Sequence, residues 1–250
     1  MSGHSKWSTI KRRKGAEDAK RAKIFTRLGR DIMMAARDGG GDESANPRLK
    51  LALQKAKAAN MPKDNIERAI KKGTGELDGG QLDELTFEAY GLEGVAIIVE
   101  ALTDNKNRTL AEVKAIFNKL GGSLASSGSV LLQFEQKGYI SLIHDTLDYE
   151  EVFMVAAEAG ADDVTNEEGQ VIVYTPRDKF GLVEQALTEA GYEVDESKLV
   201  WEAKNETTIS VERAVSNLRM MERLEELDDV QSVSSNLAIT EEITSAFETA

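Results

Sequence analysis

Between Gly138 and Trp201, six apolar segments follow one another in an order that few folds accommodate. Their patterning predicts strands at 139–143, 162–166, 171–174 and 194–201, and helices at 149–159 and 179–190. The resulting order, β-α-β-β-α-β, is that of the ferredoxin-like fold. "NEEGQ" supplies the glycine expected of a hairpin between the two middle strands. We therefore predict a ferredoxin-like domain at residues 137–205.

The segments on either side of this domain complete each other. Before it, "TFEAYG", "VAIIVEALT" and "SVLLQFEQ" predict strands, and "NRTLAEVKAIFNKLG" predicts a helix that buries Leu110, Val113, Ile116 and Phe117. After it, "VERAVSNLRMMERLEELDD" predicts a helix and "VQSVSSNL" a closing strand. Residues 79–136 and 206–250 are thus expected to form one discontinuous α+β domain, with the ferredoxin-like domain inserted in it.

Residues 1–75 have a different pattern, typical of short amphipathic helices. Ile24, Leu28, Ile32 and Ala35 recur at helical spacing, a second helix follows the cap Asn46, and a third ends at Gly73. Such helices can bury their apolar stripes only against each other, so a three-helix bundle is predicted. The first sixteen residues lack this periodicity and are expected to form an extended or mobile arm. The whole chain is predicted to be α+β and multidomain.

Charge divides the chain at the same place. Residues 1–75 hold 19 Lys and Arg against 8 Asp and Glu, a net charge of +11, whereas the rest of the chain has a net charge of −24. A basic unit of this size predicts a polyanionic partner, which the acidic remainder would repel. A solvated basic face without a partner is the alternative. A membrane surface is disfavoured, because the bundle uses the bulky apolar side chains that an interfacial helix needs.

The basic unit supplies the candidate nucleic-acid contacts. Trp7 lies among the cations, and it could stack on a base or instead pack the arm onto the bundle. Because other aromatic side chains are sparse here, phosphate contacts should dominate and sequence preference should be weak. The predicted nucleic-acid-binding residues are Lys6, Trp7, Lys11, Arg12, Arg13, Lys14, Lys20, Arg21, Lys23, Arg27 and Arg30.

Two loops of the acidic part are candidates for a secondary anion contact. "ALTDNKNRT" runs from a strand end to a helix start and brings Asn105, Asn107 and Arg108 near helix amides, which favour anions. "GGSLASSGSV", with Ser126 and Ser127, could form a nest of backbone N–H groups. The alternatives are a helix N-cap for the first loop and a flexible connection for the second.

Catalytic and metal-binding signatures are missing from the sequence. There is no cysteine, the two histidines are far apart, and no nucleotide-binding or hydrolase motif is present. We therefore expect no enzyme activity, no metal and no cofactor. An enzyme or small-ligand-binding protein that uses a cleft between the acidic domains is the alternative. The sequence shows neither a secretory signal nor a membrane span, which predicts a cytoplasmic protein without a membrane partner.

Four long segments closely resemble the YebC family: "GHSKWSTIKRRKGAEDAKRAKIFTRL", "NPRLKLALQKAKAANMPKDNIERAIKKG", "YGLEGVAIIVEALTDNKNRT" and "LASSGSVLLQFEQKG". This family includes bacterial proteins named as transcriptional regulators and the mitochondrial translational activator of cytochrome c oxidase. The resemblance implies a helical bundle, an α+β domain and an inserted ferredoxin-like domain. It also implies a non-enzymatic regulator of gene expression that acts on promoter DNA or on the ribosome during translation.

We expect RNA rather than promoter DNA to be the partner of the basic unit. A promoter regulator must find one site among about a million or more competitors, which takes several side chains on base edges. The third helix offers only Asn65, Glu67 and Arg68 as such readers. A ribosome instead presents its RNA through shape and phosphate geometry. Its basic proteins could also receive the acidic domains. Ribosomal or messenger RNA is therefore the favoured partner, and promoter DNA the alternative.

Overall fold

The computed structural model describes residues 7, 10, 20–77, 82–143, 147–167 and 170–249, and of residues 20–23, 143 and 167 only the backbone. In chain order the elements are α1 (Lys20–Gly39), α2 (Pro47–Ala58), α3 (Lys63–Gly73), β1 (Asp83–Tyr90), β2 (Ala96–Thr103), α4 (Lys106–Leu120), β3 (Ser123–Leu124), β4 (Phe134–Ile143), α5 (Tyr149–Ala159), β5 (Asp163–Glu167), β6 (Gln170–Pro176), α6 (Phe180–Glu189), β7 (Val194–Ala203), α7 (Val211–Glu225), β8 (Val230–Ser235) and α8 (Glu241–Glu248). The chain is α+β, as predicted.

Helices α1, α2 and α3 pack around one apolar cluster. The cap residue Asn46 accepts a hydrogen bond from the Leu49 amide, and its side chain donates to the carbonyl oxygens of Ala35 and Gly40, both at 2.8 Å. This buried amide joins the end of α1 to the start of α2. The prediction that Ile24 is buried is wrong, since its side chain is 43% exposed. Phe25, 100° further round the helix, packs against the cluster in its place.

An antiparallel sheet of order β3-β1-β2-β8 forms the centre of the acidic part. Strand β2 is buried along almost its whole length, and α4, α7 and α8 contribute side chains to the same core. The sequence patterns did not predict α8. Two expectations for α4 also need correction: Leu110 is 42% exposed and Ile116 is only partly buried, whereas Val113 and Phe117 are fully buried. The polar Thr109 takes a buried position in the first turn instead.

The second sheet has the order β5-β6-β4-β7 and is antiparallel throughout. Side chains of α5 and α6 form an apolar core with this sheet, which is the ferredoxin-like arrangement. The two strands predicted on either side of Gly138, at 129–136 and 139–143, are not separate, because β4 is a continuous strand of ten residues from Phe134. Residues 131–133, which lie within the first of these predicted strands, form a 3₁₀ turn instead. The proposed domain limits stay predictions.

The reason for the continuous strand lies in the packing around Gly138. A Cβ atom at this position would lie 2.3 Å from Thr175 Oγ1 and 2.4 Å from Phe180 Cδ2. The glycine therefore permits close approach inside the sheet rather than ending the strand. Across the described part of the chain, no helix combines the length and the apolar character needed to cross a membrane.

Candidate nucleic-acid interface

Arg27 and Arg30, two of the predicted phosphate contacts, are used inside the protein. Arg27 Nη2 donates to the carbonyl oxygens of Glu225, at 2.9 Å, and Val230, at 3.0 Å. Arg30 donates to the carbonyl oxygen of Asp228, and its Nη2 pairs with Asp229 Oδ1 at 2.6 Å. The carbonyl end of α7 carries partial negative charge and so attracts these guanidinium groups. Their assignment to a nucleic-acid surface is corrected accordingly.

Asp229 is the carboxylate at the centre of this contact. Its side chain is 2% exposed. Besides Arg30, its Oδ2 accepts from Arg108 Nη2 at 2.7 Å, Thr109 Oγ1 at 2.7 Å and Thr103 Oγ1 at 3.0 Å. Burial alone would raise the pKa of Asp229, but the hydrogen bonds from Arg108 and the two threonines outweigh it and lower the pKa. The group is therefore an ionised link between α1, the end of β2 and the first turn of α4.

The β2–α4 loop matches the N-cap alternative. Asn105 Oδ1 accepts from the Arg108 amide at 3.1 Å, and the Arg108 guanidinium contacts the carboxylates of Asp104 and Asp229. Asn107 is exposed in the first turn of α4. Since two carboxylates already surround Arg108, this loop is not free to hold a second anion through that side chain.

The glycine- and serine-rich loop does form a nest, but the protein itself supplies the anion. The amides of Val130, at 2.6 Å, and Leu131, at 2.8 Å, donate to Glu88 Oε2, and the Gly128 amide donates to Glu88 Oε1. Burial would raise the pKa of Glu88, yet these three hydrogen bonds lower it. Ser126 and Ser127, which directly precede the donor Gly128, are exposed.

Trp7 is buried, so the prediction that it stacks on a base is wrong. Its ring is 2% exposed and meets Phe247 edge-on with centroids 5.9 Å apart, and Nε1 donates to Glu225 Oε1 at 3.1 Å. The packing alternative applies, with the α+β core as the partner and not the bundle. Trp7 and Ile10 are both helical, which also corrects the extended arm at these two positions. Their separation of three residues was the missed signal.

The structure does not describe the side chains of the other predicted contacts. Lys6, Lys11, Arg12, Arg13 and Lys14 lie outside the described residues. Lys20, Arg21 and Lys23 belong to the first turn of α1, but the structure describes only their backbone. All eight stay predictions.

A second set of cations emerges on α2 and α3. Arg48, Lys57 and Lys63 form ion pairs within the bundle, and Arg37 pairs with Glu84. Four other exposed cations make no ion pair with another described residue: Lys50, Arg68, Lys71 and Lys72. Three of them share one face of α3 at spacings of three and four, a helical repeat that was readable in the sequence.

Within the described ranges, no group of three His, Asp or Glu side chains could hold a metal ion.

Comparison with known proteins points to one family. A model described as the TACO1/YebC protein N-terminal domain matches residues 5–76, and a model of the TACO1/YebC second and third domain matches residues 82–237. A "Probable transcriptional regulatory protein" of Syntrophotalea carbinolica is 52% identical over 242 residues, covering 97% of each chain. A protein of the same name from Thermotoga petrophila is 51% identical, covering 94% of this chain and 93% of the relative.

A solved structure is similar in fold as well as sequence. The crystal structure of a conserved hypothetical protein from Aquifex aeolicus superposes with a TM-score of 0.82 at 44% identity. The match covers 90% of this chain and 93% of that one.

Proposed function

Because the chain belongs to the TACO1/YebC family, we propose that it regulates gene expression by binding nucleic acid and catalyses no reaction. The observation that carries this proposal is the charge separation: a unit of net charge +11 adjoins a remainder of −24. The names of the bacterial relatives support a regulatory role. The proposed surface combines the N-terminal cations with the exposed cations of α2 and α3. It leaves out Arg27 and Arg30, whose guanidinium groups are held by α7 and the turn that follows it.

Salt dependence tests the proposal directly. Full-length protein is titrated with labelled RNA and duplex DNA at several salt concentrations. If about six phosphates are contacted, log K falls against log salt with a slope of roughly −4 to −5. Replacing Lys20 and Lys23 with Gln is expected to flatten that slope by about 2 and to weaken binding to all sequences alike.

A matched control uses two exposed lysines of the acidic part. Lys114→Gln with Lys119→Gln on α4 removes the same charge and is expected to leave the slope unchanged. Equal effects of the two pairs, or a slope near zero for the wild type, would refute binding through the basic unit.

RNA on the ribosome is the partner that we favour within this proposal. The bundle offers cations for phosphates, and α3 has few side chains suited to reading base edges. The acidic domains would repel naked duplex, whereas basic ribosomal proteins would attract them. The relatives' names favour the second candidate, regulation of transcription through promoter DNA.

Sedimentation separates these two candidates. Cell lysate is fractionated on a sucrose gradient at low salt, with and without nuclease, and the protein is located by immunoblotting. We expect it in ribosomal fractions, from which high salt releases it. Its absence there, together with a compact promoter footprint by the purified protein, would establish the DNA candidate instead.

A further inference from the structure

A groove lies between α1 and α3, on the unit that carries the positive charge. Its volume is about 390 Å³. This is within the range of about 300–1,000 Å³ typical of sites for small organic groups. The lining residues recur at helical spacing on the two facing helices, together with one residue that precedes α3. They are Phe25, Thr26, Gly29, Arg30, Met33, Met61, Asn65, Arg68, Ala69 and Lys72.

The α1 side of the groove is partly apolar: Phe25, Gly29 and Met33 line it together with Thr26 and with Arg30, whose guanidinium group contacts Asp228 and Asp229. Phe25 and Met33 are half-buried there, and Met61 is 9% exposed. Gly29 lies between them in the interior of a twenty-residue helix, where glycine is a poor helix former. A Cβ atom at Gly29 would meet Met61 Cε at 3.6 Å, an ordinary contact. Folding therefore does not require glycine here, but its missing side chain keeps the groove wide.

The α3 side of the groove is cationic. Arg68 and Lys72 are exposed, lie one helical turn apart and make no ion pair with another described residue. Asn65, one turn before Arg68, adds an amide that can both donate and accept. No carboxylate lines the groove. Glu67, the third potential base reader of this helix, pairs with Lys63 instead.

An apolar wall that faces a pair of cations is chemically complementary to an unpaired nucleotide. A base can pack its face on an aromatic ring and on the polarisable thioethers of methionine, while lysine and arginine hold the adjoining phosphates. Paired bases in a duplex are stacked on each other and offer no free face to such a wall.

We infer that this groove binds one unpaired nucleotide of an RNA strand. The base packs against Phe25, Met33 and Met61, and the phosphates lie on Arg68 and Lys72. Asn65 contacts the base edge. The inference rests on the proposed function, and it adds that the protein prefers RNA with an unpaired loop to fully paired RNA of the same length.

The test compares two labelled RNAs of equal length, one fully paired and one with a four-nucleotide loop, by fluorescence anisotropy on full-length protein. Gly29→Leu fills the groove and is expected to weaken loop binding about tenfold, with duplex binding unchanged. Gly181→Leu is the matched control, because nothing lies within 4 Å of a Cβ atom at that helical glycine. It should change neither affinity.

The outcomes separate this inference from the proposed function. Wild-type binding to neither RNA would overturn the groove and the RNA form of the proposed function, and would leave promoter DNA as the partner to test. Equal wild-type affinities for the two RNAs, or equal weakening of both by Gly29→Leu, would overturn only the groove. Crosslinking of the wild type by 4-thiouridine in the loop is independent of whether any variant folds. Crosslinks to residues 24–33 or 61–72 support the inference, and crosslinks confined to other peptides overturn it.

Discussion

The buried carboxylate of Asp229 binds cationic side chains from distant parts of the chain. It accepts from two arginines and two threonines that lie more than 100 residues away in the chain. An unpaired charge this deeply buried would be costly, and these donors compensate for its lost hydration. Glu88 follows the same principle at the 126–131 loop, where three amides hold its carboxylate.

Replacing Asp229 with Asn should lower the free energy of unfolding by about 3 kcal/mol, because it leaves two guanidinium groups without their shared anion. The measurement is urea denaturation at pH 7. Asp178→Asn, at an exposed position in the turn before α6, is the control and should change stability by less than about 0.5 kcal/mol.

The same pair of variants tests how the contribution of Asp229 to the free energy of unfolding depends on pH. The folded-state pKa of Asp229 is lowered, so its contribution is complete above the ordinary carboxyl pKa and is lost as the pH falls through the lowered value. The stability difference between wild type and Asp229→Asn should therefore narrow below about pH 4. A difference that stays constant down to pH 2 would contradict the role assigned to this carboxylate.

At the scale of single elements, adding a side chain should have opposite effects on stability at a glycine in a strand and at a glycine in a helix. Gly138 lies inside β4 beneath Phe180 and Thr175, where any side chain meets atoms closer than 2.5 Å. Gly181 lies in α6 with open space around its Cβ position. The two glycines are near each other in the fold, since Phe180 adjoins one in sequence and the other in space.

Gly138→Ala should destabilise the protein by about 2 kcal/mol through overpacking. Gly181→Ala should stabilise it by about 0.5–1 kcal/mol, because alanine loses less conformational entropy in a helix. Thermal denaturation of both variants measures the two effects against the same wild type. A stabilising Gly138→Ala would show that Phe180 and Thr175 can shift at no cost.

Over the whole molecule, the basic unit, residues 1–75, contacts the acidic core at several separate places. Trp7 contacts α7 and α8, Arg27 and Arg30 contact the end of α7 and the turn after it, and Arg37 pairs with Glu84 at the start of β1. The two oppositely charged parts are therefore joined by specific hydrogen bonds and ion pairs, and by the packing of Trp7. This arrangement orients the bundle on the core.

Trp7→Ala should lower the free energy of unfolding by about 3 kcal/mol and speed hydrogen exchange in α8 and the last turn of α7, because a buried ring and its hydrogen bond are lost. Trp7→Phe keeps a ring against Phe247 but loses the bond to Glu225, so its effect should be intermediate. Exchange rates in α5 and α6, which Trp7 does not contact, serve as the internal control. Unchanged exchange in α8 would contradict the anchoring role of Trp7.

Much of this architecture was predictable from local patterns. Helical and strand periodicity identified α1 to α7 and the β-α-β-β-α-β order, and the cap at Asn46 placed the start of α2, because these features depend on neighbouring residues. The charge division at residue 75 is likewise a property of the chain itself. Gly138 was misread because a glycine that ends a strand and one that lets a ring approach look the same in one dimension.

The tertiary structure alone decided which charges are available. In the sequence, Arg27 and Arg30 are indistinguishable from the other cations of α1. Only the carbonyl oxygens and the carboxylate at 225–230, about 200 residues away, engage their guanidinium groups. The loop around Ser126 was predicted to form a nest for an external anion, but the carboxylate that its amides bind is that of Glu88 in β1. A site's residues can be proposed from spacing, whereas their freedom to bind depends on partners that only long-range packing brings within hydrogen-bonding distance.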